Sequence, residues 1–167
     1  MSAATSEPAG FWAFSLGLYA QPAVPPACLV LQDEGGADVN IALYLLYLAR
    51  RGVAVDAAVL ARMEAAIGRW REAVVKPLRG VRRVLKTELA QIGPNSSAAL
   101  REEVKRLELE SERLEHAALD ALTAGFAARD TRPAAAIATA NLQTYFAVLG
   151  KPLPQVAAAT LVDAATG

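Results

Sequence analysis

A stretch of 27 residues, from Ala98 to Ala124, contains neither Gly nor Pro. Small and apolar side chains recur along it at alternating spacings of four and three residues. The positions at this spacing are Leu100, Val104, Leu107, Ser111, Leu114, Ala118 and Ala121. Such a repeat places the side chains on one face of a helix, as in two helices packed side by side. The stretch therefore predicts one long helix that needs a partner helix.

The segment before the break at Gly93-Pro94-Asn95 has the same spacing and provides that partner. Its positions are Val74, Leu78, Val81, Leu85, Glu88 or Leu89, and Ile92. If the two helices fold back on each other, facing residue numbers sum to about 189, because both helices rise equally per residue. The predicted contacts are Leu89–Leu100, Leu85–Val104, Leu78–Ser111 and Ile67–Leu122, with the ion pairs Lys86–Glu103 and Arg79–Glu110. We predict an antiparallel helical hairpin.

The rest of the chain also predicts helices. It has 37 Ala and 22 Leu among its 167 residues, and both residues favour helix strongly. Residues 39–49 are apolar or aromatic apart from Asn40, which predicts a buried central helix capped by Asp38. Pro77 is expected to kink or divide its helix. The predicted fold is all-α, a bundle of six to seven helices built on the hairpin.

We expect residues 1–9 to be a flexible N-terminus, 10–150 a single helical domain, and 151–167 a Pro/Ala-rich tail or short helix. Residues 8–32 are uncharged, but three prolines interrupt them, so no membrane span is expected. No basic segment precedes that run, and Cys28 is the only cysteine. These features predict a cytoplasmic protein without a disulfide.

The formal net charge is zero, which argues against a dedicated nucleic-acid binder. The charges are nevertheless segregated. Residues 1–49 have four acids and no base, 69–86 a net six positive charges, and 102–120 a net four negative charges. We expect the opposed segments to meet across helix pairs. A weaker alternative is that the basic segment contacts RNA or an acidic lipid surface.

The segment from Gln32 to Asn40, QDEGGADVN, gathers oxygen-bearing side chains around two glycines. Such oxygens could bind a hard cation, although the spacing is not that of an EF-hand. The alternative is that the glycines end one helix while Asp38 caps the next, which we favour. Asn40 needs hydrogen-bond partners in either case, because it enters a buried helix.

Another cluster lies on the long helix, where Glu112, His116 and Asp120 share one face beside Glu115. A carboxylate and an imidazole on one face could move a proton or hold a metal with help from Asp38 or Asn141. A single histidine on a charged helix is more often a surface residue. With one histidine and one cysteine, the composition predicts neither a metal site nor a cofactor.

Two functions remain open, and the residues do not distinguish an enzyme from a binding protein. The first is a binding or accessory module with a protein partner or a second copy of itself, using Trp12, Arg83 and Lys86. The alternative is an enzyme or small-ligand-binding protein with a polar pocket between helices. The candidate residues for that pocket are Asp38, Asn40, Tyr44, Arg79 and Glu110.

Several motifs together resemble one protein family. They are FWAFSLGLYAQP, LQDxxGxDVN, PLRxxRRxLK and the Glu-rich LELESERLE. In this order they resemble a bacterial family of helical proteins, about 160 residues long, that is known as a domain of unknown function. The resemblance covers approximately Phe11 to Leu119, whereas the tail after Ala128 looks idiosyncratic. It implies a helical fold and no particular activity.

Overall fold

The computed structural model describes residues 10–87, 92–126 and 130–167, and every regular element in these ranges is helical. The helices are α1 (Phe11–Tyr19), α2 (Val24–Gly35), α3 (Val39–Arg50), α4 (Ala57–Trp70), α5 (Lys76–Val84), α6 (Pro94–Thr123), α7 (Ala134–Leu149) and α8 (Gln155–Thr166). A π-helical turn, Arg71–Val75, joins α4 to α5 without interruption. Counted with that segment as one, the described residues form seven helices, and the predicted all-α class is confirmed.

The centre of the fold is α3. All nine residues from Ile41 to Ala49 are buried, and α3 packs most extensively on α7 and also on α1, α2, α6 and α8. Burying one large apolar side chain stabilises a fold by about 1.5–3 kcal/mol. The burial of all nine residues confirms the predicted central helix, and the other helices are arranged around it.

Two glycines define the turn between α2 and α3. Gly36 has a φ of +67° and ends α2 in the left-handed conformation, which glycine adopts without steric cost. Gly35 lies against the ring of Phe146 so closely that a Cβ atom would clash with it. Asp38 then caps α3, because its Oδ1 accepts the backbone N–H of Ile41 at 3.1 Å. The capping interpretation of this segment is confirmed.

Pro77 is the second residue of α5, which begins directly after the π turn. Proline has no N–H to donate and its ring collides with the carbonyl four residues earlier. A wider turn accommodates both effects, and isolated π turns inside α-helices are a known response to such strain. The helix therefore continues through Pro77 and is not divided, with Arg71 in the π turn.

The contacts between α5 and α6 are consistent with the predicted hairpin. Arg79 bonds to Glu108 at 3.2 Å and to Glu112 at 2.8 Å, and Arg82 also bonds to Glu108. These acceptors flank Glu110, the predicted partner of Arg79. The prediction was wrong about Glu110 itself, which pairs with Arg113 on its own helix. Residues two apart on a helix point to nearly opposite sides. The register of the hairpin therefore gives the position of a residue along the helix axis, but not the side of the helix on which it lies.

Of the other predicted contacts along the hairpin, one ion pair is wrong and one contact lies outside the described residues. Glu103 pairs with Arg106 on α6 and not with Lys86. Residues 88–91 and the predicted Leu89–Leu100 contact lie outside the described ranges, as does the N-terminus, residues 1–9. The tail forms the short helix α8, which packs on α2, α7 and α3.

By length and composition, no single helix among the described residues could cross a membrane, although α1 and α2 together pass that test as a pair bent by 102°.

Candidate functional site

A groove of about 1340 Å³ lies between the helices where α3 begins. It is bordered by α1, α2, α3, α4 with the π turn, α5, α6 and α7, and we call it the inter-helical groove. Apolar side chains such as Leu16, Leu29 and Val148 lie on it together with charged side chains from α4, α5 and α6. Mixed surfaces of this kind, largely apolar with a few converging polar groups, are typical of small-molecule sites.

Asp38 and Arg71 form one polar wall of the groove. Arg71 Nη1 donates to Asp38 Oδ2 at 3.0 Å, and the same guanidinium bonds to Glu64 on α4. The hydrogen bond with Glu64 and the charge of Asp38 raise the pKa of Arg71. The backbone N–H of Asp38 donates to the hydroxyl of Tyr145 at 2.9 Å. This wall is thus fixed by contacts from two other elements, α4 and α7.

Asn40 and His116 meet at the inner end of the groove. His116 Nε2 lies 3.0 Å from Asn40 Oδ1, and since that oxygen only accepts, the proton of the neutral ring is on Nε2. The ring stacks on Phe11 at 4.0 Å between centroids and meets the edge of Trp12 at 5.1 Å. Burial lowers the pKa of His116 to about 4. The imidazole is therefore neutral at physiological pH.

Glu115 is 1% exposed and lies beside this pair. Neither of its carboxyl oxygens, nor Nδ1 of His116, has a hydrogen-bond partner in the part of the chain that the structure describes. Burial and the nearby charge of Asp38 raise the pKa of Glu115 to about 8. Arg71 and the Asn40 amide oppose this shift, but the amide does not reach hydrogen-bonding geometry with either oxygen. Both residues border the groove, and three of their buried polar atoms have no partner among the described residues.

The opposite wall is made of ion pairs between α5 and α6. Glu108 is buried and is held by Arg79 and Arg82, whereas Glu112 is held by Arg79 alone. Burial raises the pKa of Glu112 although Arg79 lowers it. Arg79 and Arg82 of this wall are thus engaged with carboxylates of the protein.

Three of the five predicted pocket residues line this groove: Asp38, Asn40 and Arg79. Tyr44 does not, because its buried hydroxyl bonds to Leu119 and Thr123. Glu110 lies on the outer face of α6 with Arg113. Only the first three therefore belong to a common site.

The predicted interaction residues border two different hollows. Trp12 is half-buried against His116 and borders the inter-helical groove, as does the exposed Arg83. Lys86 lies in a separate hollow of about 460 Å³ with Leu85 and Arg101. Whether any of them contacts a partner stays a prediction.

The predicted cluster of Glu112, His116 and Asp120 is separated by its contacts. Glu112 pairs with Arg79, His116 bonds to Asn40, and Asp120 faces the backbone N–H of Phe11. No group of three or more side chains of the metal-ligating types is close enough to hold a metal ion in the described ranges.

Sequence reasoning missed the roles of Arg71 and Glu115. Arg71 reaches Asp38 from the π turn before Pro77, and a proline inside a helical segment is the signal that could have indicated it. Glu115 was noted only as a neighbour of His116. It lies four residues after Ser111, which is buried on the inner face of α6, and this helical spacing could have indicated its burial.

Comparison with known proteins identifies a family but no activity. Residues 10–119 match the family described as "Protein of unknown function (DUF2390)", nearly the range over which the motifs suggested a resemblance. No curated protein and no solved structure matches the chain. Because the match covers about two thirds of its residues, this chain belongs to the DUF2390 family.

Proposed function

We propose that this protein binds a small ligand in the inter-helical groove, with recognition centred on Glu115 and His116. One observation carries the proposal. Three polar atoms of these two side chains are buried and unpartnered among the described residues, and both residues border the inter-helical groove. Each such atom costs about 1–3 kcal/mol if left unsatisfied. A ligand that supplies the missing hydrogen bonds would offset this cost.

The surroundings of these atoms favour a preformed site. Asp38, Asn40 and Arg79 are each held by other protein groups, so little ordering is needed when a ligand enters. Trp12 and Tyr19 add aromatic surface at the groove. A rigid polar end with an apolar rim is an arrangement that orients small molecules.

The state of Cys28 disfavours nucleophilic catalysis by a thiol at this groove. Cys28 borders the groove but is 1% exposed, and burial raises the pKa of its thiol to about 11. A thiol is a poor nucleophile, because the thiolate is the reactive form. We therefore propose no reaction by this thiol.

A fragment screen followed by NMR tests the proposal. Bound fragments are expected to shift the backbone resonances of Asn40, Glu115 and His116, and to leave those of Asn141 in the core unchanged. Glu115→Gln should weaken binding, whereas Glu110→Gln, on the outer face of the same helix, should not. If fragments bind only outside the groove, or bind equally to both variants, the proposal is wrong.

A second function has its own observation. Leu100, Leu107 and Leu114 lie seven residues apart on α6 and are 54%, 45% and 44% exposed. We call them the α6 leucine stripe. Seven-residue spacing is that of a helix–helix seam, and an apolar row of this kind is uncommon on a free surface. We also propose that a second copy of this chain packs on the stripe, since an identical α6 offers the same spacing.

Light scattering coupled to size-exclusion chromatography tests this self-association. The mass should double over a concentration series, and Leu107→Glu should restore the monomer mass. The control is Val156→Glu on α8, an apolar position that is 84% exposed and outside the stripe. A monomer at all concentrations would rule the dimer out, and so would loss of the dimer in both variants.

A further inference from the structure

The three unpartnered atoms share one chemical requirement. His116 Nδ1 has a free lone pair, because the proton of the ring is on Nε2 facing Asn40 Oδ1. The two oxygens of an ionised Glu115 also only accept hydrogen bonds. When Glu115 is ionised, all three atoms can only accept hydrogen bonds, and a ligand group that carries several N–H or O–H bonds can donate to them.

The charged groups around Glu115 restrict the kind of hydrogen-bond donor that the ligand can carry. The groups that face it are Asp38 before α3, Arg71 on the π turn, and Glu112 on α6 itself. Arg71 is already bonded to Asp38 and Glu64, and the neighbouring α1 carries no charged residue.

On the opposite wall, Arg79 is bonded to Glu108 and Glu112. Within the described chain, the nearby cations are thus engaged elsewhere, and Glu115 faces two further acids. A positively charged donor complements this end of the groove better than a neutral one.

Building on the proposed function, we infer that the ligand is an organic cation with N–H donors, a primary ammonium or a guanidinium, held by the Glu115 carboxylate and His116 Nδ1. The aromatic rings of Trp12 and Tyr19 line the same groove. Ring faces attract cations, which adds a second source of selectivity. The apolar rim with Leu16 and Leu29 takes the hydrocarbon part of the molecule.

Binding of such a cation releases a proton. Burial raises the pKa of Glu115 to about 8, so its carboxyl is mostly protonated at pH 7 in the free protein. The ammonium keeps its own protons, and the proton of Glu115 passes to the solvent as the ion pair forms. Affinity therefore rises with pH, by about 50-fold between pH 6 and pH 8, and levels off above the pKa of Glu115.

Calorimetry with three probes of the same shape tests the inference. The probes are 4-phenylbutylammonium, the neutral 4-phenylbutanol and the anionic 4-phenylbutyrate. We expect the ammonium to bind the wild type most tightly and to release close to one proton per ligand at pH 7. The proton count comes from repeating the titration in buffers of different ionisation enthalpy.

Two variants separate the site from the rest of the helix. Glu115→Gln is isosteric with the protonated acid, and it should weaken ammonium binding about tenfold or more and abolish proton release. Glu110→Gln should change neither quantity. The proton release of the wild type remains a test even if Glu115→Gln does not fold.

The outcomes distinguish this inference from the proposed function. If the alcohol or the carboxylate binds in the groove more tightly than the ammonium, the cation class is wrong and the ligand-binding function stands. If the ammonium binds without proton release or dependence on Glu115, the inference is also overturned. If all three probes fail to bind while unrelated fragments shift the NMR resonances of Asn40 and His116, the inference is wrong and the ligand-binding function stands. The absence of any groove binding would overturn both.

Discussion

Asn141 and Glu115 are both polar side chains on helices, and each is 1% exposed, but their surroundings differ. Asn141 donates to the carbonyls of Leu45 and Val53 and accepts the N–H of Val55 at 2.9 Å. Glu115 has no hydrogen bond to the described residues. The first side chain ties the segment after α3 to α7, whereas the second contributes nothing comparable to the fold. Equal burial therefore does not imply an equal role.

The largest expected effect in this comparison is at Asn141. Asn141→Ala should lower the free energy of unfolding by about 4 kcal/mol, because one buried N–H and two carbonyls lose their partner. Urea denaturation measures this loss. Gln143→Ala, at an exposed position on the same helix, should change stability by less than about 0.5 kcal/mol. Similar losses in the two variants would contradict a structural role for Asn141.

The next effect concerns Glu115 and depends on pH. Its pKa in the folded protein, about 8, lies above the ordinary value of 4.5. The contribution of the protonated carboxyl to the free energy of unfolding is therefore fully present below pH 4.5 and is lost as the pH rises towards 8. Between pH 5 and pH 8, Glu115→Gln should therefore gain about 3 kcal/mol relative to the wild type. Urea denaturation at both pH values measures this, with Glu110→Gln as control. Parallel curves for wild type and Glu115→Gln would show that the carboxyl is solvated.

His116 should show the opposite slope. Its folded pKa of about 4 lies below the ordinary 6.5, so its contribution is complete above pH 6.5 and is lost as the pH falls. From pH 7 to pH 5 the wild type should lose about 2 kcal/mol relative to His116→Phe. Since the chain has one histidine, its NMR signals can be titrated directly. A midpoint near 6.5 would mean that the ring is exposed to water.

The smallest effect is expected at Asp38. Asp38→Asn keeps an oxygen for the cap of α3 but removes the charge that pairs with Arg71, so it should cost about 1 kcal/mol. It should also lower the pKa of Glu115, because the charge of Asp38 raises that pKa. The pH-dependent effect of the Glu115→Gln substitution should then be smaller in the Asp38→Asn background than in the wild type. An unchanged effect would show that the two carboxyls do not interact.

Most of the helical plan could be predicted because it depends on local signals. Asp38 caps α3 as predicted, and Asp56 caps α4 in the same way. Gly36 and Gly150 end α2 and α7 with positive φ. Such signals act within a few residues of chain, so a single sequence carries them.

The candidate site was predicted only in part, for a geometric reason. Asp38, Asn40 and Arg79 were recognised as polar residues in helical contexts, and they do line one groove. Glu110 was chosen by register, but its neighbours Glu108 and Glu112 face α5 in its place. Spacing along a hairpin predicts how far along the two helices a contact lies. The rotation of each helix about its own axis depends on its packing against several other helices.

Local residue patterns were sufficient to specify the helices, their caps and breaks, the buried centre at α3 and the segregation of charge. The pairing of the charged side chains, in contrast, depended on packing in three dimensions. It follows from the rotation of each helix and from the π turn that directs Arg71 towards Asp38. The same packing buries Glu115 and His116 together beside a groove. Burial and pairing are properties of three-dimensional neighbours, and they shift the pKa values on which the proposed site depends.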